Sequence, residues 1–290
     1  MSDERAGFEE LLRTLLWEGY ALYPYTSGAT KNATPTPFGI VYPPLYAATN
    51  AGARDSLTLR GLALAEPSAP LAAEVRFLQS SGSRHEAVER RVAFAAGSLA
   101  ELASSPREQE FCEGDLRALV RLSAEQLGPA CHAVDLRVEN TTAFAKPAAG
   151  RAEALAASLL STLPFMRLAS GRFASPLEPA EGGHDVLGEN TFPVLATASD
   201  DVLLGATIML PEHPQIAPES RGDLFDGTEI EEALLLHVLA LSDDERASIE
   251  RDDPAVRAMI ERAAAATPAE ILALHGRMTL TDPRGQEAPA

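Results

Sequence analysis

Lysine is almost missing from this chain: Lys31 and Lys146 are the only two among 290 residues, and the other Lys/Arg cations are all arginine. Positive charge as a whole is scarce, with 24 Lys and Arg against 42 Asp and Glu, a net charge of −18 and a pI near 4.7. Such a surface repels nucleic-acid phosphates and anionic lipid heads, so neither is expected as a partner. Cysteine is just as scarce. Cys112 and Cys131 stand apart, with no CxxC or His/Cys cluster, so no disulfide and no cysteine-based zinc site is expected. Both read as ordinary small hydrophobic residues. No apolar run approaches the ~20 residues that cross a bilayer, so no membrane insertion is expected. The first residues, MSDERAGFEELL, are acidic where a signal peptide is basic and apolar, which predicts a cytoplasmic chain. GxSxG, P-loop, GxGxxG, HExxH and EF-hand spacings are all missing. Serine, cysteine and histidine occur without a legible convergence, so no catalytic residue and no cofactor are predicted.

What the chain does have is apolar patterning. Hydrophobic residues make up 46% of it, enough for a substantial core. Phe8, Leu11, Leu12, Leu15 and Leu16 recur at helical spacing, predicting an amphipathic helix from about residue 8 to 20. Residues 24–50 hold five prolines and two glycines and read as an ordered loop. From 55 to 145 the period becomes two. Leu57 and Leu59, Leu62 and Leu64, Val75 and Phe77, Val92 and Phe94, Leu116 to Leu122, and Val134 to Val138 all alternate with polar or small residues. Leu127-Gly128-Pro129 reads as a hairpin connection between the last two runs. A helix over 151–163 and strands over 192–197 and 202–210 follow. Capping-box spacing at Asp226–Glu229, Ser242–Glu245 and Thr267–Glu270, and Asp253-Pro254, predict C-terminal helices. The expected fold is α+β: an antiparallel β-sandwich-like body with an N-terminal amphipathic helix and a C-terminal helical segment. The β-rich body spans 1–225, helices packed on it span 226–280, and 281–290 is a flexible tail.

Two segments could carry chemistry. All five tyrosines lie between positions 20 and 46. Tyrosine joins a large rigid contact area to a hydrogen-bonding tip, which suits recognition. Tyr20, Tyr23, Tyr25, Lys31, Asn32 and Tyr42 are therefore the candidate binding residues, beside the bland alternative of a loop packing its aromatics on the sheet. The second segment runs from His213 to Glu229. Its imidazole and carboxylates, His213, Glu219, Asp223, Asp226 and Glu229, form a candidate divalent-metal or acid/base site. The spacing matches no strong metal motif. Asp226 and Glu229 already have a structural role as cap and capping-box partner, and Arg221 stands between Glu219 and Asp223 to pair with either. His237 sits in an apolar helical run and reads as a core or interface residue. His85, His132 and His275 have no recognisable partner, and His184, after Gly182-Gly183, is expected in a loop.

Two long strings, LLWEGYALYPYTSGATKNATPTPFGIVYPP and HPQIAPESRGDLFDGTEIEEALLLHVLALSDDE, together with RVENTT and SGRFASPLEP, resemble a bacterial, actinobacterial-type family associated with gene clusters for nickel–iron (NiFe) hydrogenases. The resemblance spans about residues 10–278. It implies an accessory or assembly protein that binds hydrogenase subunits or maturation proteins. It carries over no catalytic residue, because the family has no assigned activity. The chain departs from the family where Thr26 follows the YPY string in place of a basic residue. The alternatives on the residues alone are a metal-assisted or acid/base enzyme using 213–229, and a ligand-binding β-sandwich.

Overall fold

A computed structural model describes residues 2–17, 37–81, 87–144, 150–177 and 188–216, with 242, 261, 265 and 267. The chain divides into two compact units, Met1–Ala21 with Thr34–Gln215, and Leu22–Ala33 with Ile216–Ala290. Nearly all described residues belong to the first unit; apart from positions 242, 261, 265 and 267, the predicted C-terminal helices and the tail lie outside them.

In the first unit the period-two runs fold as strands: β1 (Ser56–Leu64), β2 (Pro70–Ser80), β3 (Ala87–Ser98), β4 (Arg107–Glu113), β5 (Leu116–Gly128) and β6 (Cys131–Asn140). After them come β7 (Leu160–Leu168), β8 (Arg172–Phe173), β9 (Phe192–Leu195) and β10 (Val202–Ala206). They form two antiparallel sheets, ordered β4-β5-β6-β1-β8 and β3-β2-β7-β10-β9. The register puts Leu57, Val138 and Val120 in one row and Leu59, Leu136 and Leu122 in the next. These rows face Leu71, Val75, Phe77, Val92, Met166 and Leu203 of the other sheet in one core. Burial of each such side chain contributes about 1.5–3 kcal/mol. Phe77 and Phe111 meet edge to face across the two sheets at 5.0 Å. The sheets approach closely at Gly61, where a Cβ would lie 2.2 Å from Leu203 Cδ2.

The outer faces differ. That of the first sheet is charged: Arg60 is bidentate to Asp135 at 2.7 and 2.9 Å, Arg121 pairs with Glu108, and Arg137 bonds Glu139 and Glu189 at 2.9 and 3.1 Å. The face of the second sheet is covered by helix α1 (Ser2–Trp17), which lies on β7 and β2. Its predicted stripe, Phe8, Leu11, Leu12, Leu15 and Leu16, is buried. The helix starts earlier than the expected residue 8, and its expected end at 18–20 lies outside the described residues. Two short helices, α2 (Pro44–Thr49) and α3 (Leu99–Ser104), were not legible as periodic stripes; α3 is opened by a capping box of Ser98 and Glu101. The sheet edges are blunted by charge and proline, with Glu108, Glu110 and Glu113 on β4, Glu89, Arg90 and Arg91 on β3, and Pro193 on β9, which opposes edge-to-edge pairing.

One predicted element changes type. Residues 151–163 are not one helix: α4 covers only Arg151–Ala156, and β7 begins at Leu160. Leu155, Leu159, Leu160 and Leu163 fit helical spacing, but Pro164 disfavours helical backbone at Leu163. As a central strand β7 is buried on both faces, so it shows no alternation. The strand expected over 202–210 stops at Ala206, and that over 192–197 at Leu195. Among the described residues, no helix is long and apolar enough to cross a membrane.

His132 points into this core from β6. It is fully buried, and among the described residues no hydrogen bond of ordinary geometry reaches either ring nitrogen. Burial pushes the imidazole below its ordinary value, and the backbone of Ala65 offsets this only in part. The unfolded chain therefore takes up the proton first, and stability falls as pH drops below about 6.5. The expected result is that His132→Leu narrows the difference in melting temperature between pH 7.5 and pH 5.5. An unchanged difference in thermal melts would contradict this placement of the charge cost.

Candidate functional site

The end of the tyrosine-rich segment is fixed to the body backbone by backbone. Val41 exchanges two hydrogen bonds with Leu159, at 2.9 and 3.1 Å. The Ser161 and Thr162 amides donate to the carbonyls of Phe38 and Gly39 at 3.1 and 3.0 Å, and Tyr42 N–H donates to Arg54 O at 2.8 Å. Asn140, at the end of β6, ties the joint from beneath. Its amide nitrogen donates to Val41 O and to Ala157 O, both at 2.9 Å, and its side-chain oxygen accepts from the Thr142 amide at 2.8 Å. Thr142 in turn receives the Arg117 amide at 2.9 Å and donates back to the Arg117 carbonyl at 3.1 Å. Two members of the RVENTT string are thus the side chains that hold this joint.

The seat is strained. Ser161 is buried with φ 49° and Gly39 has φ 54°. A left-handed non-glycine residue costs about 1–3 kcal/mol. The hydroxyls of Ser161 and Thr162 are buried without partners among the described residues. Only glycine suits position 39, where a Cβ would lie 2.3 Å from Thr207 Cγ2. On this rigid base the segment presents aromatic surface. Phe38 is 44% exposed and Leu45, on α2, 38%. Tyr42 is half-buried and stacks on Tyr46 at 5.0 Å, and Tyr46 meets Phe144 edge to face at 6.4 Å. Of the predicted binding residues the structure places Tyr42 here. Tyr20, Tyr23, Tyr25, Lys31 and Asn32 lie outside the described residues. Phe38 and Asn140 were missed; a phenylalanine beside a glycine, and an asparagine ending an alternating strand, carry no separate signal.

Of the second candidate set only His213 is described; Glu219, Asp223, Asp226 and Glu229 are not. His213 has φ 54°, its amide donates to Leu195 O at 2.7 Å, and its Nε2 lies 2.8 Å from Asp200 Oδ1. Asp200 is left-handed as well, with φ 56°, in the turn that joins β9 to β10. Next to it, burial alone would raise the Asp201 carboxyl, but the hydroxyls of Thr197 and Ser199 and the charge of Arg167 outweigh it and hold the carboxyl below its ordinary range. The Asp200 carboxylate can fix one tautomer of His213. Among the described residues no three His, Cys, Asp or Glu side chains are grouped to hold a metal ion.

No protein-family model matches the chain, and no curated protein matches it either.

Proposed function

We propose that this protein is a non-catalytic accessory or assembly protein for a nickel–iron hydrogenase, binding one of the hydrogenase subunits or maturation proteins. The resemblance of the tyrosine-rich string and of 213–245 to the hydrogenase-associated family supplies the partner class. The observation that carries the binding mode is the surface of the aromatic Phe38 and Tyr42 with the aliphatic Leu45 beside them, held by five backbone hydrogen bonds and the Asn140 side chain. A rigid aromatic surface loses little conformational entropy when a partner docks, so more of the contact energy becomes affinity. Aromatic anchors are also what protein interfaces enrich. The test is deletion of the gene in a host that encodes the hydrogenase, with subunit assembly followed on native gels. Accumulation of unassembled or unprocessed subunits is expected; full assembly and full hydrogenase activity in the deletion strain would reject the reading.

A second reading, an acid/base enzyme at the acidic segment, is favoured by the Asp200–His213 pair, in which both residues have left-handed backbone. It requires a substrate whose turnover is lost in His213→Gln while the melting temperature is kept.

A further inference from the structure

A cleft of about 210 Å³ opens where α1 crosses β2 and β7. Its charge runs against that of the molecule. In a chain of net charge −18, three arginines, Arg5, Arg76 and Arg167, line the cleft with only two carboxylates, Glu9 and Glu74. Both carboxylates are already engaged. Arg76 bonds Glu9 at 2.7 and 3.2 Å and Glu74 at 2.6 Å. Burial works against the Arg76 charge, but those carboxylates outweigh it and keep the guanidinium charged. Arg167 shares Asp201 at 3.3 Å with two hydroxyls. Among the described residues no carboxylate pairs with Arg5, which is exposed at the rim.

The guanidinium groups are also held in place. Arg76 lies over the Phe165 ring and Arg167 over the Phe8 ring, each 5.6 Å from the centroid, and the two rings meet edge to face at 5.3 Å. Planar guanidinium groups set against aromatic faces are suited to receive a carboxylate. The rest of the lining is apolar and shallow: Ala72, Ala73, Ala93 and Phe94. Ala72 and Ala93 lie on this outer face, while Ala73 and Phe94 belong to the inner core, and the small outer side chains leave the space that larger residues would fill. The volume lies below the ~300–1,000 Å³ of drug-sized sites. The occupant it fits is small, anionic at one end and apolar at the other.

We infer that the cleft between α1 and the outer face of the second sheet is a binding site for a small carboxylate with an apolar body, received by Arg5 and Arg167 over the alanine floor. The site lies within the first unit and does not depend on the hydrogenase reading. The test uses the full-length protein and three probes of one shape: benzoate, neutral benzyl alcohol and cationic benzamidine. Saturation-transfer NMR and calorimetry should show benzoate binding with a Kd on the order of 1 mM and neither of the other two at comparable strength. Arg5→Gln, at an exposed helix position, should weaken benzoate about fivefold. Ala93→Leu, at an exposed strand position, should fill the floor and weaken it at least tenfold, with the circular dichroism of both variants unchanged. The inference is overturned by no transfer to benzoate at about 10 mM, by equal binding of benzamidine, or by unaltered benzoate affinity in well-folded Ala93→Leu.

Discussion

Asn140→Ala should lower the stability of the first unit by about 3 kcal/mol, which for a unit of this size is a drop of roughly 6–12 °C in melting temperature. Asn140 is 2% exposed and makes three hydrogen bonds, to Val41 O, Ala157 O and the Thr142 amide. Each buried bond contributes about 0.5–1.5 kcal/mol, and truncation leaves its partners unpaired away from water. Alanine therefore strips two carbonyls and one amide at once. Asn140→Asp sharpens the test. It keeps the acceptor for Thr142 but sets a carboxylate against two carbonyls, so it should be at least as harmful at neutral pH. Part of the loss should return as acid protonates the carboxyl and restores one donor. Thermal melts of both variants at pH 7 and pH 5 check this. A change under 1 kcal/mol for Asn140→Ala would mean that the joint is held by its backbone bonds alone.

The second large effect concerns binding. Phe38→Ala combined with Tyr42→Ala should weaken the proposed complex with a hydrogenase component on the order of 100-fold, as hot-spot aromatics do. The same pair should cost the fold little. Phe38 is 44% exposed, and Tyr42 is half-buried at the surface of a stack that Tyr46 anchors from inside. Affinity and stability must separate if this surface recognises a partner. They fall together if the aromatics only pack the loop. Calorimetric titration beside a thermal melt of the same sample decides between the two.

The antiparallel sandwich was readable from the sequence because most of its strands have one face in the core and one in water. Val134, Leu136 and Val138 alternate with Asp135 and Arg137, and that alternation is the sandwich wall. Three strands escaped: β8 has only two residues, and β4 and β7 escaped for opposite reasons. β4 reads REQEFCE and has a single large apolar residue, Phe111, because it is a charged edge. β7 is apolar throughout because it is buried on both sides, so spacing alone assigned part of it to a helix. The site was less legible than the fold. Tyr42 stood out as a member of a cluster, but its support comes from Asn140, 98 positions later in the numbering, and a contact at that distance leaves no mark on either neighbourhood. The same holds for His213, whose partner Asp200 reads locally as an ordinary turn residue. The pairing exists because the β9–β10 hairpin and the Leu195–His213 backbone bond bring the two together. The cleft under α1 was invisible for a further reason: its lining comes from α1, β2, β3 and β7, and its floor is defined by small residues.

The central claim is recognition of a hydrogenase component through the anchored aromatic surface. It is tested most directly by affinity purification of the tagged protein from a hydrogenase-producing host, beside the Phe38→Ala/Tyr42→Ala form, with retained proteins identified by mass spectrometry. The account predicts that a hydrogenase subunit or maturation protein is retained by the unsubstituted chain and lost from the doubly substituted one. Retention of no such protein, or equal retention by both forms, would contradict it.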